Sequence, residues 1–85
     1  MLQLVYKKAA LKELAEMPAP VRRKMQEELA AIAANPHGYS GDWRPLTGSP
    51  YWRLRVGGYR AICHIQDEAL VLLVLRAGPR GDIDK

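Results

Sequence analysis

Arginine recurs at alternate positions in one short segment of the chain, at Arg53 and Arg55, and returns at Arg60. Residues 43–80 contain six arginines, no lysine and only two acidic residues. The planar guanidinium group donates a fork of hydrogen bonds that matches the oxygens of phosphate. The segment therefore favours an anion site, with nucleic acid or an acidic protein as the partner, and the alternative is a plain solvated basic surface.

A β-hairpin would bring these arginines onto one surface. Gly57-Gly58 separates two strand-like segments, and a two-residue Gly-Gly turn is typical of a hairpin because both residues tolerate positive φ. The predicted cross-strand pairs are Val56 with Tyr59, Arg55 with Arg60, and Arg53 with Ile62. Paired and alternate residues share a face, so one face carries Tyr51, Arg53, Arg55, Arg60, Ile62 and His64. The opposite face is predicted to form the core and carries Trp52, Leu54, Val56, Tyr59, Ala61, Cys63 and Ile65.

The predicted pairing of Arg55 with Arg60 carries an energetic cost. Like charges directly opposite each other destabilise a sheet. A purely structural residue at either position could be uncharged, without that cost. The arrangement therefore favours an anion site, most naturally for phosphate, over a solvated outer face.

Four other residues are weaker candidates for the same site. Lys8 and Lys12 share one side of the first predicted helix, where they would extend a track of phosphate contacts or only keep the helix soluble. Tyr51 and His64 lie on the predicted arginine side, and His64 could transfer protons near neutral pH or be an ordinary strand residue. Cys63 points to the predicted core, which indicates a small buried hydrophobe rather than a nucleophile.

The remaining sequence predicts the elements that position this hairpin. Apolar periodicity, with breaks at proline and glycine, predicts a strand over Leu2–Tyr6, a helix over Lys7–Glu16 and a second helix from Pro20 to about Ala34. A loop is predicted over His37–Pro50, followed by strands over Tyr51–Val56, Tyr59–Ile65 and Leu70–Arg76. The order β-α-α-β-β-β predicts one α+β domain over residues 1–85, with two N-terminal helices packed on one face of a small, mostly antiparallel four-stranded sheet.

Composition narrows the classes of function. The net charge of +4 is moderate, and no apolar run approaches the roughly 20 residues of a membrane-spanning helix, so no membrane partner is expected. Cys63 is the only cysteine, which excludes an internal disulfide and fits a cytoplasmic protein. The sequence has no Cys/His cluster with metal-ligand spacing and no glycine-rich phosphate loop, so neither a metal nor another cofactor is expected.

Three segments resemble the RelE branch of the RelE/ParE toxin superfamily. One is Tyr51-Trp-Arg-Leu-Arg-Val-Gly-Gly-Tyr-Arg60, and a second, after an apolar strand, is Ala77-Gly-Pro-Arg-Gly-Asp-Ile83. The opening Tyr6-Lys-Lys-Ala-Ala-Leu-Lys-Glu-Leu14 is similar to the first helix of that family. The similarity covers nearly the whole chain, in the same order of elements.

The resemblance implies the toxin of a type II toxin–antitoxin system, an endoribonuclease that cleaves messenger RNA on the ribosome. Such a toxin promotes attack of a ribose 2′-hydroxyl on the neighbouring phosphate. By position, Arg53 and Arg55 match two basic strand residues of the family site, and Arg60 matches the arginine that stabilises the transition state. Arg80 matches a second arginine, which is assigned to the leaving group or the phosphate, and this assignment depends on the resemblance alone.

Two positions depart from the family pattern. Many relatives carry lysine where Arg55 stands, and arginine deprotonates too reluctantly to act as a base. Relatives also place a tyrosine near the C-terminus where this chain has Asp84, so its cleavage activity is expected to be weakened. His64, Asp84 and Tyr51 remain alternatives for the general base.

The resemblance also implies partners. An antitoxin of the RelB kind would cover the arginines and exclude RNA, and the toxin–antitoxin complex would contact operator DNA through the antitoxin. Two other functions remain open, a ParE-like toxin that inhibits DNA gyrase and a non-catalytic RNA-binding module that uses the same basic surface. The co-occurrence of the four arginines that match the family site argues against the gyrase inhibitor.

Overall fold

The computed structural model describes residues 1–79, which form two helices and one sheet. The helices are α1 (Lys8–Ala15) and α2 (Ala19–Ala34). The strands are β1 (Gln3–Tyr6), β2 (Trp43–Pro45), β3 (Trp52–Val56), β4 (Tyr59–Gln66) and β5 (Val71–Pro79). Pro20 lies in the first turn of α2, where the missing backbone N–H breaks no helical hydrogen bond. Neither of these helices has the length and apolarity to span a membrane.

The strands form one five-stranded sheet in the order β1-β5-β4-β3-β2. β1 runs parallel to β5, and the other three pairings are antiparallel. The prediction of four strands is therefore wrong, and the parallel pair makes the sheet mixed. The α+β class and the order of the predicted elements agree with the structure.

The additional strand, β2, lies in the segment that was predicted to be a loop. It pairs Trp43 with Leu54, Arg44 with Arg53, and Pro45 with Trp52. A three-residue strand that ends in proline has too short an alternating pattern to be recognised from local sequence. Tertiary contacts support it instead, including the stacked rings of Trp43 and Trp52, whose centroids are 5.1 Å apart.

Both helices pack on the face of the sheet that the hairpin register predicts as the core. The fully buried sheet residues of this core are Leu54, Ala61, Cys63, Leu72, Val74 and Ala77. The helices contribute Ala10, Leu14, Met25, Leu29, Ile32 and Ala33. A β-bulge shifts the β4–β5 register between Ile62 and Cys63, because β5 has one more residue than β4 at this point. The extra residue allows both Val74 and Ala77 to face the core. The helices thus cover one face of the sheet and leave the other to the arginines.

Candidate functional site

The β3–β4 hairpin has the predicted register. Val56 pairs with Tyr59, Arg55 with Arg60, and Arg53 with Ile62. Gly57 has a φ of 60°, a left-handed conformation that strains residues with a Cβ atom, so this turn favours glycine. The register places the arginines on the sheet surface that faces away from the helices.

We call this surface the arginine face. It comprises Asp42, Arg44, Tyr51, Arg53, Arg55, Arg60, Ile62 and His64. Two pairs of arginines lie directly opposite each other on it, Arg44 with Arg53 and Arg55 with Arg60. Like-charge pairs of this kind are unfavourable, and an anion between or beside them offsets the repulsion.

Asp42 is a carboxylate that three of these arginines share. Its Oδ1 accepts a hydrogen bond from Nη2 of Arg53 at 2.8 Å. Nε of Arg44 lies 3.8 Å from Oδ1, and Nε of Arg55 lies 3.9 Å from Oδ2. One negative charge therefore faces three positive charges, and this cluster keeps a net positive charge that can attract a second anion.

The loop before β2 holds Asp42 in place. The Asp42 carbonyl accepts a hydrogen bond from the N–H of Arg55 at 3.0 Å, which extends the β2–β3 pairing by one residue. Upstream, the Tyr39 hydroxyl donates a hydrogen bond of 2.5 Å to Oε1 of Glu28 on α2. Burial raises the pKa of Tyr39, and the bond to Glu28 raises it further, so the hydroxyl stays protonated as a donor. Gly41 lies so close to the Tyr39 ring that a Cβ atom there would overlap it.

The arginine face contains buried hydrogen-bond donors without acceptors. Nε of Arg53 and Nε of Arg55 are shielded from solvent and make no hydrogen bond with residues 1–79. The Arg53 side chain is only 15% exposed, and Arg60 is only 8% exposed. A buried donor left without an acceptor costs about 1–3 kcal/mol. This surface is therefore not a fully solvated outer face, and an anionic ligand such as phosphate would supply the missing acceptors.

Tyr51 and His64 lie beside the arginines on the same face. Their ring centroids are 5.5 Å apart, and the ring planes are close to perpendicular, at 79°. Tyr51 is 37% exposed, so its ring is accessible from solvent. Aromatic rings next to guanidinium groups suit nucleotides, because bases can stack on the rings while phosphates contact the cations.

The other predicted residues lie elsewhere. Lys8 and Lys12 are exposed on α1, on the helical side of the sheet, so the structure does not bring them to the arginine face. Cys63 is buried, as predicted, and burial raises the pKa of its thiol to about 12. Arg80 and Asp84 lie outside the described residues.

Two members of the arginine face, Asp42 and Arg44, were not predicted from the sequence. Both fall in the segment that was predicted to be a loop. The available local signal is that Asp42, Trp43 and Arg44 alternate in polarity, as residues of a half-buried strand do. That alternation covers three residues, which is too few to distinguish a strand from a loop.

Arg76 pairs with Ile62 of the arginine face across β4 and β5, but its guanidinium group is bonded to a carboxylate on α1. Its Nε and Nη2 donate hydrogen bonds to Oε1 and Oε2 of Glu13 at 2.9 and 2.8 Å. Oε1 also accepts a hydrogen bond from the N–H of Ala77 at 3.1 Å, beyond the last residue of β5 that pairs with β1. These bonds lower the pKa of Glu13, and the hydrogen bond from Arg76 is the largest cause. Glu13 thus forms a salt bridge with Arg76. It also binds a backbone N–H of β5 in the part of that strand that does not pair with β1.

The chain is similar to known proteins in sequence and in fold. A family model described as the ParE toxin of the type II toxin–antitoxin system parDE matches residues 4–83. The mRNA interferase toxin RelE of Escherichia coli K12 is 27% identical over 77 residues, which cover 91% of this chain and 81% of that protein.

Solved structures share the fold. A chain of the intact E. coli RelBE toxin–antitoxin complex has a TM-score of 0.78 and 27% identity, over 93% of this chain and 96% of that chain. A chain of the archaeal RelE–RelB complex from Pyrococcus horikoshii OT3 has a TM-score of 0.80 and 25% identity, over 95% of this chain and 97% of that chain.

Proposed function

Because the chain belongs to the ParE toxin family of type II toxin–antitoxin systems, within the RelE/ParE superfamily, we propose that it is an endoribonuclease that cleaves messenger RNA on the ribosome. The observation that carries this proposal is the arginine face, where Arg53, Arg55 and Arg60 converge. Two of these side chains, Arg53 and Arg55, present buried Nε donors that find no acceptor among residues 1–79. Phosphate oxygens of RNA would satisfy those donors and neutralise part of the charge.

The proposed reaction is attack of a ribose 2′-hydroxyl on the adjacent phosphorus. The new O2′–P bond forms while the P–O5′ bond breaks, which leaves a 2′,3′-cyclic phosphate and a 5′-hydroxyl. Negative charge builds on the non-bridging oxygens, and guanidinium groups at Arg53, Arg55 and Arg60 would stabilise it. Arg80 would stabilise the leaving oxygen or the phosphate, as the family pattern implies.

A general base must accept the proton of the 2′-hydroxyl, and the leaving O5′ must gain a proton, which solvent water can supply. Arginine suits neither step, because it stays protonated. Histidine exchanges protons near neutral pH, and His64 lies on the arginine face beside Tyr51. We therefore assign the base to His64 in preference to Tyr51 or Asp84.

We also propose that an antitoxin neutralises the toxin by covering the arginine face. The relatives with the same fold include chains of RelB–RelE complexes. An antitoxin segment with acidic side chains would pair with the guanidinium groups and exclude RNA from them. In this proposal the complex reaches operator DNA through the antitoxin, and the toxin acts on cytoplasmic ribosomes.

A ParE-like inhibitor of DNA gyrase is the second candidate function. The family model that matches residues 4–83 is described as a ParE toxin, which favours it. The clustered arginines favour the nuclease instead, because inhibition by binding does not require phosphorane stabilisation. Measurement of gyrase supercoiling with the purified chain separates this candidate from the nuclease.

The test is to add the purified chain to a translating extract and map the 5′ ends of the message by primer extension. The nuclease predicts cuts within codons held by the ribosome. Arg60→Ala should reduce these cuts by about 100-fold or more, the usual loss when one group that stabilises a developing oxyanion is removed. Arg76→Ala is the matched control, because Arg76 is paired with Glu13.

Two results would overturn the nuclease. One is the absence of cuts both with this chain and with Asp84→Tyr, which restores the residue common in relatives. The other is equal cutting by the parent chain and Arg60→Ala, which would mean that the cuts do not come from the arginine face. Inhibition of supercoiling without message cleavage would then favour the gyrase inhibitor.

A further inference from the structure

Asp42 is an acidic residue among three arginines, beside the edge strand of a surface that is proposed to bind RNA. Its carboxylate lies 2.8 Å from Nη2 of Arg53, 3.8 Å from Nε of Arg44 and 3.9 Å from Nε of Arg55. Its carbonyl also accepts a hydrogen bond from the N–H of Arg55, so both backbone and side chain are fixed against β3. The Asp42 side chain is 38% exposed, so its charge is felt by any ligand on this surface.

This carboxylate has two opposing electrostatic effects. It offsets the repulsion between Arg44 and Arg53, which pair directly across β2 and β3. It also repels phosphate, because a negative charge at a few ångströms opposes a second negative charge. A residue that served RNA affinity alone would be neutral or basic here. The presence of aspartate therefore indicates a role other than affinity.

The geometry indicates that this role is orientation of a guanidinium group. Arg53 has a long side chain with four rotatable bonds, and its bond to Asp42 and its burial reduce the number of arrangements open to it. A charge-assisted hydrogen bond at 2.8 Å fixes both the distance and the direction of the group. Oriented donors stabilise developing charge better than mobile donors, because they need no reorganisation during the reaction.

We propose that Asp42 is a positioning residue, which holds Arg53 and Arg55 in the arrangement that stabilises the reacting phosphate, and which does so at the expense of RNA affinity. This assignment depends on the proposed nuclease function. It predicts that binding and turnover move in opposite directions when the charge of Asp42 is removed. Neither a purely structural role nor simple competition with phosphate predicts that combination.

The experiment compares Asp42→Asn with the parent chain in two assays. Equilibrium binding uses ribosomes programmed with a message that carries a 2′-deoxynucleotide at the scissile position, which allows binding and prevents cleavage. Single-turnover cleavage uses the same complexes with ordinary RNA at saturating toxin. Glu27→Gln is the matched control, because it removes one exposed negative charge from α2, on the opposite side of the sheet.

Positioning predicts that Asp42→Asn binds about fivefold more tightly, from loss of one repulsive charge near the surface. It also predicts a saturated cleavage rate about 10- to 100-fold slower, because the neutral amide oxygen of asparagine holds the guanidinium group less tightly than a carboxylate does. Asp42→Glu, which keeps the charge, should recover affinity close to that of the parent chain and part of the rate. The midpoint of urea unfolding should stay near that of the parent chain for both variants.

Other outcomes overturn the assignment. If Asp42→Asn binds more tightly and also cleaves as fast or faster, Asp42 only competes with phosphate. If binding and cleavage fall together with the urea midpoint, Asp42 only stabilises β2. A parent chain that cuts no message overturns the nuclease, and the assignment of Asp42 falls with it. Cleavage by the parent chain combined with either of the first two patterns overturns the assignment of Asp42 alone.

Discussion

Arg76 and Arg53 project from strands of the same sheet, but their guanidinium groups have different surroundings. Two nitrogens of Arg76 bond to both carboxylate oxygens of Glu13, at 2.9 and 2.8 Å. Arg53 makes one bond to Asp42, which it shares with Arg44 and Arg55, and its buried Nε has no acceptor among residues 1–79. Glu13 thus pairs with one cation, whereas the single carboxylate of Asp42 faces three.

The difference separates a structural arginine from arginines that are suited to a ligand. The two hydrogen bonds to Glu13 use Nε and Nη2 of Arg76 and neutralise its charge, which leaves less to offer an external anion. Incomplete pairing on the arginine face costs folding free energy, since the buried Nε atoms of Arg53 and Arg55 have no acceptor within the described part of the chain. A fold tolerates such a cost where function compensates for it, and a phosphate of RNA would complete the hydrogen bonding.

The largest expected effect comes from replacing both Arg53 and Arg55 by alanine. Cleavage of message on the ribosome should fall by about 100-fold or more, because oriented cations beside the reacting phosphate are lost. The free energy of unfolding should change little, because the substitution removes the bond from Arg53 to Asp42 but also two buried Nε atoms that have no acceptor in residues 1–79. Single-turnover cleavage and urea unfolding measure the two quantities.

Arg76→Ala is the matched control for this double variant. It removes an arginine from β5 that is bound to Glu13, so cleavage should stay within about twofold of the parent chain. Equal loss of cleavage in Arg76→Ala would mean that pairing with a carboxylate does not distinguish structural arginines from functional ones.

A smaller effect, on stability, is expected from Glu13→Ala. The N–H of the buried Ala77 would lose its acceptor, Oε1 of Glu13, which costs about 1–2 kcal/mol of unfolding free energy. Urea unfolding at pH 7 measures this loss, with Glu16→Ala as the control, because Glu16 is exposed at the end of α1. Cleavage should be retained at temperatures well below unfolding. A stability equal to that of the Glu16→Ala control would show that Glu13 does not cap β5.

The contribution of Glu13 should also depend on pH. Its pKa in the folded chain is lowered from the usual 4.5, chiefly by the hydrogen bond from Arg76. The folded state therefore binds a proton less readily than the unfolded state, so ionised Glu13 stabilises the fold above its ordinary pKa. That stabilisation is lost as the pH falls through the lowered pKa. The difference in stability between the parent chain and Glu13→Ala should accordingly shrink below pH 4.5.

The sequence was sufficient to predict the arginine pairs on β3 and β4, because the signal is local. Gly57-Gly58 defines the turn, and the turn defines the register of Arg55 with Arg60. Alternation along each strand then assigns every side chain to a face. The same logic placed Cys63 in the core and His64 on the arginine face, where the structure has them.

The carboxylate of Asp42 could not be predicted in the same way, because its position depends on contacts between distant segments. β2 has three residues, and it is supported by pairing with β3 and by a loop bonded to α2 through Tyr39. The parallel pairing of β1 with β5 likewise joins segments nearly 70 residues apart, as between Gln3 and Val71. Periodicity within a window shows which residues form a strand but does not identify its partner strand.

The smallest expected effect comes from Arg44. It tests whether the contribution of each arginine on the arginine face to cleavage decreases as its side chain becomes more exposed. Its side chain is 77% exposed and its Nε lies 3.8 Å from Asp42, whereas the Arg53 side chain is 15% exposed. Arg44→Ala should weaken binding to programmed ribosomes by about two- to fivefold, as for one solvated phosphate contact, with little change in the saturated cleavage rate. Arg23→Ala, an exposed arginine on α2, is the control. A loss of cleavage as large as that of the Arg53 and Arg55 double variant would mean that Arg44 contacts the reacting phosphate, and that burial does not separate positioning arginines from peripheral ones.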